Sequence, residues 1–247
     1  MSQVLAVVSG KGGTGKTSVC AAVALALAAA GQKVLCIDVD IGLRNLDIAL
    51  GLSLEPTIPF TDVLAGVYPL SKATVHPLNP NLHFLTAPVM AQPEDLDKEA
   101  FRLLLEQARS TYDWCFIDAP AGVGTGFCLA IQWADAALVV CNPDPASLRD
   151  AARTAEHIDA CSDIPTKLVV NRIRRQFFKK LHFTVDDCMD MVGLPLLGII
   201  PEDEAVPFAA AKGKPLYKIA SGKKTAAEAC RHVALRLMGQ KVPLLKL

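Results

Sequence analysis

The sequence predicts an α/β fold: a wound, mostly parallel sheet with helices on both faces, formed as a single domain over residues 1–247. Three observations predict it. Apolar runs of strand length alternate with longer helical patterns almost from end to end. The runs are apolar at consecutive positions rather than alternate ones, which suits strands covered on both faces. Charged residues gather where the runs end, the edge at which wound sheets carry their sites. At 247 residues and 51% hydrophobic content the chain can bury one sizeable core, and no low-complexity tract or internal repeat divides it.

The first run, "QVLAVVS" (3–9), leads into a glycine loop and then an alanine-rich helix that stops at Gly31, a residue suited to a C-terminal cap. "KVLCIDVD" (33–40) is the second strand and "LHFLTA" (82–87) the next. A helix is expected over 94–109, followed by "DWCFIDA" (113–119) and "DAALVVCNP" (135–143) as strands. A helix over 147–160 leads to the strand "TKLVVN" (166–171), and a helix over 184–192 to the strand "PLLGIIP" (195–201). The last helix is expected over 225–238.

Charge and cysteine usage narrow the function classes. Lys+Arg and Asp+Glu both number 25, so any contact with nucleic acid or an acidic membrane must come from a local patch. Met1 to Ser9 carries no charged secretory leader. The longest apolar run, Val19 to Ala30, is too short to span a bilayer. A soluble, cytoplasmic protein is expected. The eight cysteines form no Cys-x-x-Cys or Cys-x-Cys pair and read as small buried hydrophobes, which ranks a metal or iron–sulfur scaffold last.

"GKGGTGKT", Gly10 to Thr17, fits the phosphate-loop pattern G-x-x-x-x-G-K-[ST] between a strand and a helix. This makes the expected fold that of a P-loop NTPase. Gly10, Gly12, Gly13, Thr14 and Gly15 let backbone N–H groups converge on phosphate oxygens at a helix N-terminus. Lys16 is placed to neutralise β- and γ-phosphate charge, Thr17 to ligate Mg²⁺, and Ser18 to reach the α-phosphate. Asp38 and Asp40, two residues apart at a strand end, face the same way. One of such a pair can support the metal shell while the other orients water. Asp118, at the end of "CFID", is placed to contact Mg²⁺ directly or through water, and Pro120 and Gly122 follow in a loop suited to sensing the γ-phosphate.

Lys11 is one lysine more than a phosphate loop needs. With it, the loop resembles that of the deviant Walker A ATPases of the MinD/ParA family, K-G-G-x-x-G-K-[ST]. The resemblance implies a homodimer formed on ATP binding, in which Lys11 reaches the phosphates held by the other subunit. An arginine finger in that position contributes on the order of 10³–10⁵ in rate; lysine offers a point charge instead of a planar fork. "DVDIGLRNLD" resembles the first switch of the family branch that places bacterial division sites. This implies that Asp40 orients the attacking water, that Asp38 supports the nucleotide site and its Mg²⁺, and that Asn45 belongs to the same switch. "VVNRIRR" and "GIIPEDEAV" resemble the family's base-binding segments, implying adenine contacts from Asn171 and Arg172 on one side and Pro201 and Glu202 on the other. Asp150, in "NPDPASLRDAAR", falls near the implied dimer or partner surface. In all, the likeness covers most of residues 2–238. It implies ATP hydrolysis to ADP and phosphate with Mg²⁺, and partners of the MinC and MinE kind.

Two departures mark the sequence. After "DAPAG" it has Val123 and Gly124 where the family commonly has Ile-Glu. The division-site branch ends in a basic amphipathic helix that holds the dimer on anionic lipid, whereas residues 239–247, "GQKVPLLKL", are short and interrupted by Pro243. Val242, Leu244, Leu245 and Leu247 with Lys241 and Lys246 have the composition of a weak peripheral membrane anchor, whose avidity dimerisation would raise. A tail packed on the body is the competing expectation. "RIRRQFFKK" (172–180) carries Arg172, Arg174, Arg175, Lys179 and Lys180 around Phe177 and Phe178. It is the segment on which a rival, DNA-binding partition or flagellar-placement reading would rest.

Overall fold

The computed structural model describes residues 2–91 and 93–245, except for the side chains of Pro93, Phe177, Lys179 and Leu181. β1 (Gln3–Val8) runs through the loop into α1 (Lys16–Ala29), and β2 (Val34–Asp38) into α2 (Leu46–Leu50) and α3 (Phe60–Leu64). β3 (Thr74–Val75) and β4 (Leu82–Leu85) follow, then α4 (Lys98–Thr111), β5 (Trp114–Asp118) and α5 (Thr125–Gln132). Next come β6 (Ala136–Cys141), α6 (Pro145–Cys161), β7 (Thr166–Ile173), α7 (Arg175–Leu181) and α8 (Val185–Val192). β8 (Leu196–Pro201), α9 (Ala205–Ala211) and α10 (Ala226–Leu237) complete the order.

The strands form one sheet in the order β3-β4-β2-β5-β1-β6-β7-β8, parallel throughout except for the antiparallel pairing of β3 with β4. β1 lies near the middle with β5 and β6 on either side, and Asp38 of β2 pairs with Asp118 of β5 in register. Consecutive apolar residues serve two cores. Val4, Ala6 and Val8 face one hydrophobic layer and Leu5 and Val7 the other. The first layer is closed by α4, α5, α6 and α8, the second by α1, α9 and α10. All five residues of β2 and of β5 are buried. Their unbroken apolar spelling is therefore a consequence of burial on both faces.

The expected strands are present, and so are the long helices. The helix expected from Glu94 begins at Lys98, because Asp97 caps it by accepting from the backbone of Glu99 and Ala100; Pro93–Asp95 forms a 3₁₀ turn instead. Thr184 and Thr225 prove to be N-caps of α8 and α10, so those helices start one residue later than expected. β3, α2, α3, α5, α7 and α9 were not anticipated, and all have eight residues or fewer. β7 runs on to Ile173 past an irregularity in its pairing with β8, so the basic segment is a strand end continued into α7. Cys20, Cys36, Cys115, Cys141, Cys188 and Cys230 are buried as expected, whereas Cys128 and Cys161 are exposed.

Among the described residues, no helix is long and apolar enough to cross a membrane. Among the described residues, the C-terminal segment forms no helix after Leu237. It lies along α10, where Arg236 donates to the carbonyl oxygens of Val242 and Leu197 and His232 meets that of Pro243. Leu245 is buried in the second core while Leu244 remains exposed. Lys246 and Leu247 lie outside the described residues.

Candidate active site

The C-terminal ends of β1, β2 and β5 bring the loop and the acidic residues together. Gly15 is the N-cap of α1 at φ 86°, and no side chain caps the helix or places an acid in its first turn. An uncapped helix start leaves N–H groups free for an anion. Two glycines are required by their neighbours. A Cβ at Gly10 would lie 2.4 Å from the Asp150 carbonyl oxygen, and one at Gly15 would lie 2.3 Å from Asn171 Nδ2. The loop is also tied to its surroundings. Asn171 Nδ2 donates to the Thr14 carbonyl at 2.8 Å, and the Gly122 N–H donates to that of Ser9 at 2.9 Å.

Lys16 Nζ donates to Asp118 Oδ1 at 2.7 Å, with both residues buried, and lies 3.3 Å from Thr17 Oγ1. Asp118 Oδ2 and Thr14 Oγ1 are buried with no hydrogen-bond partner. An orphaned carboxylate oxygen beside the Lys16–Thr17 pair suits a hard cation with its own oxygen ligands. Among the described residues, no three His, Cys, Asp or Glu side chains form a metal cage. Mg²⁺ needs none, because phosphate oxygens and waters commonly fill most of its octahedron. Thr17 and Asp118 therefore fit the expected metal role.

Asp38 is positioned differently. Its Oδ1 accepts from the Asp40 N–H at 2.9 Å and its Oδ2 from the Leu46 N–H at 3.1 Å, so the carboxylate braces both ends of the 40–46 loop. Burial, then the neighbouring Asp118 charge, pushes its pKa up to about 7. Burial also raises Asp118, with Lys16 opposing. Asp40 is half-buried at the same edge, and burial raises its pKa against the pull of Lys16. Asn45 is the N-cap of α2, although its side chain makes no capping bond.

Lys11 does not turn toward its own loop. It pairs with Asp144 at 3.2 Å, and both side chains are partly exposed. Asp144 also caps α6 by accepting from the Ser147 N–H. The Asp144-Pro145 dipeptide could have signalled that helix start, but no sequence rule links it to Lys11, 133 residues away. Glu94 was likewise missed: it accepts from Thr125 Oγ1 at 3.0 Å, beside Gly124, the N-cap of α5. A Cβ at Gly124 would meet nothing within 4 Å, so the backbone there does not demand glycine.

Behind the loop, Gly15, Ser18, Asn171, Arg172, Pro201 and Glu202 line a cavity of about 260 Å³. This is close to the lower end of small-ligand pockets, roughly 300–1,000 Å³, and suits a base whose phosphates lie outside it. Arg172 is exposed at φ 55°, and Arg174 approaches Glu202 at 3.7 Å. A larger cavity of about 440 Å³ between α1 and α10 is walled mostly by alanine and leucine. It lies away from the acidic strand ends and lacks their convergent polar groups.

The family described as the CobQ/CobB/MinD/ParA nucleotide-binding domain matches residues 5–216. The chain belongs to this family. The septum site-determining protein MinD of Synechocystis is 36% identical over 247 residues, covering 99% of this chain and 92% of the relative. In the MinC:MinD cell division complex of Aquifex aeolicus, a chain 35% identical superposes with a TM-score of 0.90, covering 99% of both chains. MinD of Pyrococcus horikoshii, solved with Mg-ADP, is 30% identical with a TM-score of 0.82 and 96% coverage of each chain. Within this MinD/ParA family, the matched span takes in the phosphate loop, Asp38, Asp40 and Asp118 at the strand ends, and the cavity wall as far as Leu216, leaving Ala226 and Cys230 of α10 outside it.

Proposed function

We propose that this chain is a MinD-type ATPase that hydrolyses ATP to ADP and phosphate and acts in division-site placement through an ATP-dependent homodimer. The observation that carries the reading is the separation of the two lysines. Lys16 is committed to its own site through Asp118, whereas Lys11, from the same loop, is held outside by Asp144. A lysine so placed can be given to a second subunit. Phosphates arriving in the loop compete with Asp118 for Lys16, and Thr17 and Asp118 would hold Mg²⁺. When bound, the ion neutralises phosphate charge as a Lewis acid. Asp40 orients the attacking water, and Asp38 acts by fixing the loop that carries Asp40. Lys11 supplies charge to the partner subunit's phosphates. Asn171, Arg172, Pro201 and Glu202 hold the base.

A MinC-type protein is the proposed partner, by analogy with the Aquifex complex. MinE-like activation and peripheral membrane contact through residues 239–247 belong to the same reading. The membrane state requires the tail to leave α10, because Leu245 is buried where it lies. Asp40→Ala protein should form a dimer with ATP but not ADP in size-exclusion chromatography with light scattering, and should pellet with anionic liposomes in that state. A monomer at saturating ATP would overturn the dimer cycle. Pelleting that survives deletion of residues 239–247 would overturn the tail's role.

A DNA-directed reading has one observation in its favour. Arg172, Arg174, Arg175 and Lys180 are exposed around α7, while Phe178 packs against Phe183. Phe177 and Lys179 complete the basic segment in sequence, but their side chains lie outside the description. ATP-dependent, salt-sensitive DNA binding without liposome binding would favour this second reading.

A further inference from the structure

β8 ends at Pro201, and the chain turns through Glu202 and Asp203 into α9. The Asp203 carboxylate faces two helix starts at once. Its Oδ1 accepts from the Ala205 N–H at 2.9 Å and its Oδ2 from the Ala226 N–H at 2.9 Å. Ala205 and Ala226 are the first residues of α9 and α10. Each helix start carries unpaired N–H groups and a partial positive charge, so a carboxylate shared between them joins two elements that are distant in sequence. α9 has no other side-chain cap, whereas Thr225 separately caps α10.

The joined elements wall the cavity behind the phosphate loop. Val206 and Pro207 come from α9, Ala226 and Cys230 from α10, and Ile200 and Pro201 from β8. We infer that Asp203 is a positioning residue that sets the width of the nucleobase cleft, tying α9 to α10 through its two carboxylate oxygens. The inference rests on the nucleotide reading of that cavity. Its consequence is selective: Asp203 governs affinity for the base and leaves the phosphate cradle, built from β1 and α1, unaffected.

Calorimetric titration of the full chain with ATP and with tripolyphosphate, each with Mg²⁺, separates the two contributions. Asp203→Asn keeps one acceptor and turns an amide toward a former donor. It should weaken ATP binding about tenfold, the scale of one lost hydrogen bond, with tripolyphosphate unchanged. KM for ATP should rise while kcat is retained, and Asp203→Glu should restore part of the affinity. Ala226→Pro removes the second donor without touching Asp203. Proline is tolerated at the first helical position, and Thr225 is already extended at φ −94°, ψ 161°. It should show the same selective loss. Equal weakening of both ligands, or unchanged ATP affinity in both variants, would overturn the positioning role. Equal affinity of the unaltered chain for ATP and tripolyphosphate would instead overturn the base-cleft reading itself.

Discussion

Gly15→Ala is a demanding test of how the phosphate loop is held. Gly15 has φ 86°, a left-handed conformation that costs an L-residue roughly 1–2 kcal/mol. Its new Cβ would lie 2.3 Å from Asn171 Nδ2, closer than any side chain tolerates. The amide must swing away, giving up its 2.8 Å bond to the buried Thr14 carbonyl. Losing that bond adds about 1–2 kcal/mol, because an acceptor is left unsatisfied. The sum is about 3 kcal/mol, or a fall of about 6–12 °C in melting temperature for a domain of this size. Urea unfolding of the unliganded protein, compared with Asn171→Ala and with the double variant, isolates the mechanism. Removing the amide removes the obstacle, so the double variant should be less destabilised than the sum of the singles by about 1 kcal/mol. Additive losses would refute the argument, since the methyl group would then not touch Asn171.

Other perturbations test the remaining parts of the site. Asp38 has a folded pKa of about 7 against an ordinary 3.8, so the native state binds the proton more tightly than the unfolded chain. Stability from this group is complete below about pH 4 and is lost as pH rises through about 7, by up to about 4 kcal/mol. Urea midpoints of the nucleotide-free protein at pH 5 and pH 8 should differ in that direction, and Asp38→Asn should flatten the difference; an unchanged slope would remove Asp38 as its source. Lys11→Ala should bind ATP normally yet lose stimulated hydrolysis by up to about 10³-fold, the low end of the arginine-finger range, because lysine offers a point charge rather than a fork. Loss of ATP binding in that variant would show that Lys11 serves its own subunit. Arg236→Ala removes the bonds to Val242 and Leu197, and it should increase cleavage within residues 239–245 under limited proteolysis. Unchanged cleavage would mean that burial of Leu245 and the His232 contact to the Pro243 carbonyl retain the segment without Arg236.

The legible parts of the site were those whose chemistry is local in sequence. Gly10 to Thr17 needs a glycine-rich turn between a strand and a helix, and those residues are contiguous. Asp38 and Asp118 were legible because each ends an apolar run, and parallel pairing then sets them side by side. The metal role assigned to Asp38 was read from its place at the strand end. Its two backbone contacts, to Asp40 and Leu46, depend on how the next loop folds back. Short elements such as α2 and α9 were missed because five to seven residues give too little periodicity to identify, and tertiary packing rather than propensity stabilises them.

By itself the sequence determined the α/β class, the phosphate loop, its two lysines and the acidic strand ends, because periodic burial and short motifs are properties of neighbouring residues. Only the tertiary structure decided which long-range partners those residues meet. Lys16 meets Asp118, Lys11 meets Asp144, Asn171 clamps Thr14, Asp203 joins two helix starts, and the tail lies on α10. These pairings bring together residues far apart in the chain, or turn a side chain onto one of several available backbone groups. Hydrophobic patterning says which residues are buried. The strand order and the paths of the connecting loops determine which polar groups are buried together.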